Sequence, residues 1–424
     1  MSTKRTAKDA DLEASGSGKQ SKVAKKIHPF FSKDKQDSQH VGSFQWLKAL
    51  GSKATCLHGV NLEPPSRSKV ALFDLDGTII KSSLNSKSTA WEWWRTEVPT
   101  ALKKAHEEGF SIVVISNQAL KPAALNTWKE KVLSIAASLP ALPFRILAAS
   151  AKDCYRKPMI GMWVELDRIF KEDGVEIDKA QSFFVGDAAG RQYAGGKDWA
   201  STDRKWAINV GLPFHTPEEY FLGLPVNKNY VLDGFHVSNL PELPPYTPTH
   251  TPLITGTASP EIVLFVGYPC LGKTTFFRRH FEPAKYCHVN QDTLGSRSKC
   301  VKAAEEALSK GMSCVVDNTN RDAATRKYYV QLARKMKVPI RCFLFTGQME
   351  LAWHNNLYRA YNTPPSVAAR EPKRDVLPFL AFTSFKNDYE EPEESEGFSE
   401  IRKVNWVFEG DEEERQFWSM WLQL

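Results

Sequence analysis

Asp74 and Asp76 stand two residues apart in Val70-Ala-Leu-Phe-Asp74-Leu-Asp76-Gly77-Thr78. An apolar run leads into them and a glycine follows. The pattern predicts a buried strand that delivers Asp74 to the C-terminal edge of a parallel sheet, where open α/β folds bind ligands. Two carboxylates so placed suit phosphoryl chemistry. Asp74 could attack phosphorus and carry an aspartyl-phosphate. Asp76 could protonate the leaving oxygen and then deprotonate the attacking water. Asp and Gly are also turn residues, so taken alone the segment also fits a plain turn. Three later residues favour the chemical reading. Ser116 ends the apolar run of VVISNQ and could hydrogen-bond a phosphate oxygen. Lys157, in YRKP, supplies a compensating cation. Asp187, in FFVGDAAGR, follows another apolar run and is a candidate metal ligand beside Asp74 and Asp76. The clustered negative charge calls for a divalent cation, and Mg²⁺ suits oxygen donors.

A second constellation lies downstream. Gly267-Tyr-Pro-Cys-Leu-Gly272-Lys273-Thr274 fits the phosphate-binding pattern GxxxxGK[ST]. It follows an apolar run and opens a helix at Lys273, the context that this motif needs. Backbone N–H groups from Gly267 to Gly272, with Thr275 beyond, would cradle phosphates. Lys273 would reach the β/γ-phosphates of ATP and Thr274 would ligate Mg²⁺. Asp292, in VNQDT, could accept a hydroxyl proton. Asp317, in VVDNTN, ends an apolar strand as a metal-directed carboxylate does. For each of these two Asp residues a helix cap is an equally good local reading. Arg359, on a helix over residues 354–359, is a candidate lid arginine over the transferred phosphate; the alternative is a solvated basic face.

These residues need scaffolds to position them. Short apolar runs at 70–73, 112–115, 144–148 and 182–185 alternate with helical patterns at 99–108, 123–136 and 160–170. After a proline-rich stretch the alternation resumes, with strands expected at 261–266, 286–289, 313–316 and 340–345. Such alternation predicts α/β architecture, in two doubly wound parallel-sheet domains. The expected division is a disordered basic tail at 1–43, a first domain at 44–240, a linker at 241–258 and a second domain at 259–424. The acidic stretch 390–396 reads as a solvated loop.

Composition narrows the class. No apolar run among the 424 residues approaches a membrane span, and the N-terminus has no apolar signal core. Seven scattered cysteines contain no CxxC pair, which argues against a disulfide scaffold or structural zinc. The net charge of +7 is concentrated at the start. Residues 1–53 hold 11 Lys/Arg against 5 Asp/Glu, a net of +6. Any nucleic-acid surface on the body must therefore be a local patch.

The elements around Asp74, Ser116, Lys157 and Asp187 occur in the order of the haloacid dehalogenase superfamily, which this stretch resembles. The gaps from Asp76 to Ser116, Ser116 to Lys157 and Lys157 to Asp187 are 40, 41 and 30 residues. None accommodates a large cap domain, and an open site suits a polymer end. Read together with the P-loop half, residues 66–424 closely resemble the polynucleotide kinase 3′-phosphatase family of DNA end-repair enzymes. DLDGTII, ISNQ, YRKP, VGDAAGR, GLPFHTPEEYF, HVNQDTLGS, DNTN and HNN carry the resemblance. It implies a haloacid dehalogenase-like Rossmannoid phosphatase followed by a P-loop NTPase kinase. The phosphatase removes 3′-phosphates from broken strands and the kinase phosphorylates 5′-hydroxyls with ATP. It also implies Asp74 as nucleophile, Asp76 as acid/base, Asp187 as metal ligand and Asp292 as kinase base. Residues 1–65 are too short and polar for the family's forkhead-associated domain. Gln291 and Leu357 stand where the family is expected to carry Arg. The expected setting is a monomer in the nucleus. In the tail, Ile27, Phe30 and Phe31 resemble the core of sliding-clamp-binding peptides, with Ala24 in place of the usual Gln. Two rivals remain at this stage: a small-molecule phosphatase–kinase fusion and an inactive repair scaffold.

Overall fold

Two mainly parallel sheets carry the two constellations. The computed structural model describes residues 43–82, 88–256, 259–372 and 374–424. The tail residues Ile27, Phe30 and Phe31 lie outside them. Residues Gly42–Leu424 form one compact unit.

The N-terminal sheet contains β1 (Phe44–Trp46), β2 (Cys56–Asn61), β3 (Val70–Phe73), β4 (Ser111–Asn117), β5 (Phe144–Ala149), β6 (Phe183–Val185) and β9 (Phe214–His215). Between β6 and β9 a short hairpin, β7 (Gln192–Tyr193) and β8 (Gly196–Lys197), stands apart. The sheet order is β1-β2-β5-β4-β3-β6-β9. All four residues of β3 are fully buried, as expected of an interior parallel strand covered on both faces. The chain runs from β3 outward through β4 to β5, then crosses back to β6 on the other side of β3. That reversal opens a crevice at the C-terminal ends of β3 and β6, where Asp74 and Asp187 lie. Helices α1 (Val98–Glu107), α2 (Pro122–Ala137), α3 (Gly161–Glu172), α4 (Thr202–Val210) and α5 (Pro217–Leu222) cover the two faces. Leu102, Val132 and Phe144 fill one face; Trp163, Phe170 and Trp206 fill the other.

The C-terminal sheet has the order β10-β15-β14-β11-β13-β12. Its strands are β10 (Tyr246–Thr247), β11 (Ile262–Val266), β12 (Cys287–Val289), β13 (Cys314–Asp317), β14 (Ile340–Phe345) and β15 (Glu400–Val404). Only β10 runs antiparallel, at the edge. Its helices are α6 (Lys273–Phe276), α7 (Gln291–Leu294), α8 (Arg297–Ser309), α9 (Ala323–Met336), α10 (Met349–Tyr361), α11 (Pro365–Ala368), α12 (Phe379–Asp388) and α13 (Glu412–Trp418). Among the described residues, no helix is long and apolar enough to cross a membrane.

Three stretches differ from their sequence reading. The proline-rich segment contributes β10 to the sheet, and Asn405 bonds the carbonyls of Pro244 and Pro245. Prolines are tolerated there because an edge strand leaves one row of N–H groups unused. β15 escaped notice because Glu400, Arg402 and Lys403 make it read as surface. Arg402 is nonetheless fully buried, held by Glu400 at 2.6 Å and by the Thr251 carbonyl. The acidic stretch is not simply solvated. The Glu390 carboxylate accepts the Ala323 N–H at the start of α9, and Glu396 pairs with the fully buried Arg326 at 2.7 Å. Arg326 also donates to the carbonyls of Asn320, Arg321 and Glu390.

Arg326 thus fixes the loop after β13 to the acidic segment. Arg326→Ala is expected to lower the unfolding free energy by about 3–5 kcal/mol, because it strands Glu396 and three carbonyls. Denaturant titration reads this directly, and a loss below about 1 kcal/mol, the scale of an exposed ion pair, would refute the strut.

Candidate active sites

β3 ends by handing Asp74 to the sheet edge, and the Asp74 N–H donates to Val185 O of β6 at 2.8 Å. The Lys157 ammonium lies 2.5 Å from Asp74 Oδ1 and 2.8 Å from Asp203 Oδ1. It also donates to Ile115 O at 3.0 Å. Asn117 grips the Lys157 backbone: its Oδ1 accepts the Lys157 N–H at 2.9 Å and its Nδ2 donates to Lys157 O at 3.1 Å. Ser116 and Asp76 meet through Gln118, whose Nε2 donates to Asp76 Oδ2 at 2.6 Å and Ser116 Oγ at 3.0 Å. Asp74, Asp187 and Asp203 bring carboxylate oxygens within 4.8 Å of one another. The side chain of Asp76, expected among the ligands, lies outside this cluster, and Asp203 stands in it instead.

Sequence reading missed Asp203 and Gln118. Asp203 lies in the first turn of α4, where an acid reads as an ordinary partner of the helix dipole. Its burial is what sets it apart, and its Oδ2 accepts the Ala188 N–H at 3.0 Å. The loops leave little room. Gly77 has φ +91°, and a Cβ there would sit 2.3 Å from Asp187 Oδ2. A Cβ on Gly186 would sit 2.6 Å from Asp203 Oδ2.

Burial works against the Lys157 ammonium, but Asp203 and Asp74 override it and hold its pKa above the ordinary lysine value. Burial also raises Asp76, despite the Gln118 hydrogen bond. Asp187 is pushed up to about 7, first by burial and then by Asp203. Three carboxylates against one ammonium leave excess negative charge in a buried cleft. Hard oxygen donors in that arrangement fit a divalent cation such as Mg²⁺.

The second site forms at the end of β11. Gly267 and Gly272 adopt φ of +150° and +81°. A Cβ on Gly267 would come within 2.8 Å of Phe345 Cβ, so the loop turns against β14. Lys273 is buried beneath the loop and donates to Gly267 O at 2.9 Å and to Tyr268 O at 2.5 Å. Burial lowers its pKa to about 8. Asp317 collects the neighbouring groups. Its Oδ2 accepts from Thr274 Oγ1 at 2.6 Å and contacts His288 Nε2 at 2.9 Å; its carbonyl accepts from Asn290 Nδ2 at 2.8 Å. Burial alone would raise Asp317, but His288, Thr274 and Lys273 bring it below the usual carboxylate value. Asn290 Oδ1 caps α7 through the Asp292 N–H at 2.8 Å, which leaves the Asp292 side chain exposed beside the loop.

Arg359 lines a cavity of about 550 Å³ together with Cys270, Gly272, Thr275, Arg374 and Trp406. Its Nε is buried with no partner among the described residues, so the guanidinium retains donor capacity toward the cavity. Gln291 is exposed, its N–H bound to Asn318 Oδ1. Leu357 is fully buried in a core cluster with Trp206 and Met420. Leu357 is therefore a packing residue, where an arginine directed at substrate was the comparison drawn from sequence.

A family model described as "Polynucleotide kinase 3 phosphatase" matches residues 69–221, and one described as "AAA domain" matches residues 262–376. The chain is 37% identical over 365 residues to a bifunctional polynucleotide phosphatase/kinase of Schizosaccharomyces pombe, covering 84% of this chain and 83% of the relative. It is 30% identical over 406 residues to a putative bifunctional polynucleotide phosphatase/kinase of Acanthamoeba polyphaga mimivirus, covering 87% and 90%. It is also 33% identical over 176 residues to a polynucleotide 3′-phosphatase of Arabidopsis thaliana, covering 36% of this chain and 24% of the relative.

A carboxyl that titrates near 7 makes cation binding pH-dependent, since the proton and the metal compete for Asp187. Mg²⁺ affinity of the cluster is expected to fall about tenfold per pH unit below 7 and to level off above it. Calorimetric titration across that range checks this. A flat profile would remove Asp187 from the cation site.

Proposed function

The chain belongs to the bifunctional polynucleotide phosphatase/kinase family, and on that footing we propose that its two sites repair the two termini of a DNA strand break. The observation that carries this is the buried Asp74–Lys157 contact of 2.5 Å inside a three-carboxylate cluster, on the same chain as an intact P-loop. In the first site Asp74 attacks the phosphorus of a 3′-phosphomonoester. The bond from phosphorus to the sugar oxygen breaks, and Asp76 delivers its proton to that oxygen. Asp76 then takes a proton from water as the water attacks the aspartyl-phosphate, and inorganic phosphate leaves. Lys157 and Ser116 bind phosphate oxygens throughout. Asp74, Asp187 and Asp203 would hold Mg²⁺, which when bound offsets charge on the transferring phosphoryl group.

In the second site Asp292 takes the proton of a 5′-hydroxyl as that oxygen attacks the γ-phosphorus of ATP. Lys273, the loop N–H groups and Arg359 hold phosphate oxygens. Thr274 and Asp317 would hold the Mg²⁺ that accompanies ATP. The cavity beside Thr275 and Trp406 has room for the nucleoside part of the donor.

A polymer end suits the first site better than a metabolite. Among the described residues, the loops over it add only the β7–β8 hairpin and no capping domain. Trp199 stands 80% exposed next to Asp198, whose carboxylate is tied to the backbone just past Asp187. Its free face can stack a base of the bound strand. Products with 3′-hydroxyl and 5′-phosphate ends are ligatable, which fits single-strand-break, base-excision and double-strand-break repair in the nucleus. The clamp-binding role of Ile27, Phe30 and Phe31 would add recruitment to that reading.

Labelled oligonucleotides with 3′-phosphate or 5′-hydroxyl ends, assayed with and without ATP beside free sugar phosphates, test this reading. Asp74→Asn is expected to cut 3′-phosphatase turnover by ~10³-fold or more while 5′-kinase activity survives. Retained phosphatase activity would sink the nucleophile assignment. Lys273→Ala is expected to cost the kinase ~100-fold or more and spare the phosphatase. Parallel loss of both activities would argue against separate centres, and faster turnover of sugar phosphates than of oligonucleotides would favour the metabolite enzyme.

A further inference from the structure

Lys157 is held at its ammonium by Asp74 and Asp203 and at its own peptide by Asn117. The next peptide has a different holder. Asn209, in the last turn of α4, donates from Nδ2 to Pro158 O at 2.8 Å. The same Nδ2 donates to Trp421 O at 2.9 Å, and Oδ1 accepts the Trp421 N–H at 2.8 Å. Two carbonyls face the amide nitrogen and one N–H faces the oxygen, so only one amide orientation satisfies all three partners. Asn209 therefore ties the residue after the catalytic lysine to the C-terminal segment of the kinase half.

That segment is firmly seated. Met420 and Leu422 are buried among Met159, Trp206 and Val210 of the phosphatase half. The Trp421 ring lies 4.4 Å from His236, and the Lys205 ammonium sits 4.6 Å over it. α4 itself carries Asp203 at its start and Asn209 near its end. One helix thus fixes the charged tip of Lys157 and the backbone that follows it.

We propose that Asn209 is a positioning residue for the 3′-phosphatase reaction, anchoring Lys157-Pro158 to Trp421 so that the ammonium stays on Asp74 and Asp203. The kinase half thereby supplies a strut for the phosphatase centre. This rests on the phosphatase reading above, so the unaltered full-length chain is assayed first. Failure to release phosphate from a 3′-phosphate oligonucleotide would defeat that reading. Activity in the unaltered chain that is indifferent to Asn209 would defeat only this proposal.

Asn209→Ala in the full-length chain is expected to lower phosphatase kcat by ~10- to 100-fold, the scale of a displacement near 1 Å at a reacting group. KM for the oligonucleotide should change less than kcat, because Ser116 still holds a phosphate oxygen. 5′-Kinase kcat, measured on the same preparation, should not change. An unchanged phosphatase kcat, a rise in KM alone, or proportional loss of both activities would each overturn the proposal, the last by showing a merely structural role. Should Asn209→Ala fail to fold, Asn209→Asp is read by the same criteria. It has nearly the same volume and still accepts the Trp421 N–H, but it cannot donate to Pro158.

Discussion

A buried ammonium between two carboxylates organises the phosphatase half. Lys157 has almost no contact with water, and an unpaired charge in that position would be untenable. Its partners must therefore arrive from separate elements: Asp74 from the end of β3, Asp203 from the start of α4, and the Ile115 carbonyl from β4. Satisfying one lysine fixes three pieces of the sheet edge relative to one another. Asp74 and Asp203 are held by the same contacts. Buried ion pairs contribute little net stability, and their usual service is to specify one arrangement. Here that arrangement holds the Asp74 carboxylate at the end of β3 and leaves more carboxylates than cations in the cluster.

The kinase half reaches the same end with a different hub. Asp317 ends β13 beside the P-loop and gathers Thr274, His288 and Asn290. Lys273 is buried like Lys157 but, among the described residues, has no carboxylate within ion-pair distance. It donates to loop carbonyls, and burial lowers its pKa to about 8. Lys157 is thus paired with carboxylates, whereas Lys273 is bonded to neutral carbonyls. Both hubs sit at the C-terminal edge of a parallel sheet, where strand ends converge and side chains are free of the ladder.

Much of this was legible in the sequence because interior parallel strands leave a strong signal. Val70–Phe73, Ile262–Val266 and Ile340–Phe345 are continuous apolar runs, and each precedes a chemical or turn residue. Glycines at positive φ marked both ligand loops. The charged residues that were missed share one physical cause: such a residue reads as surface unless its partner is known. Asp203, Arg326 and Arg402 are buried only because Lys157, Glu396 and Glu400 meet them from distant or irregular segments. Leu357 shows the converse. It looked like a lost phosphate contact when compared position by position, yet its helix face is turned toward the other half's core.

That helix face bears on how two chemistries share one chain. On α10, Leu357 is buried against the phosphatase half, while Arg359, two residues on, lines the cavity beside Gly272 and Thr275. On α4, Asn209 meets Trp421, while Asp203 pairs with Lys157. Each half therefore sends one helix that touches chemistry at one position and the partner at another. Opening the seam would expose Leu357, Met420 and Leu422 at roughly 1.5–3 kcal/mol per side chain, a large fraction of the stability of a typical domain. The two halves thus share a packed seam and the Asn209 bridge to Trp421, and the proline-rich segment between them is itself pinned to the kinase sheet through β10.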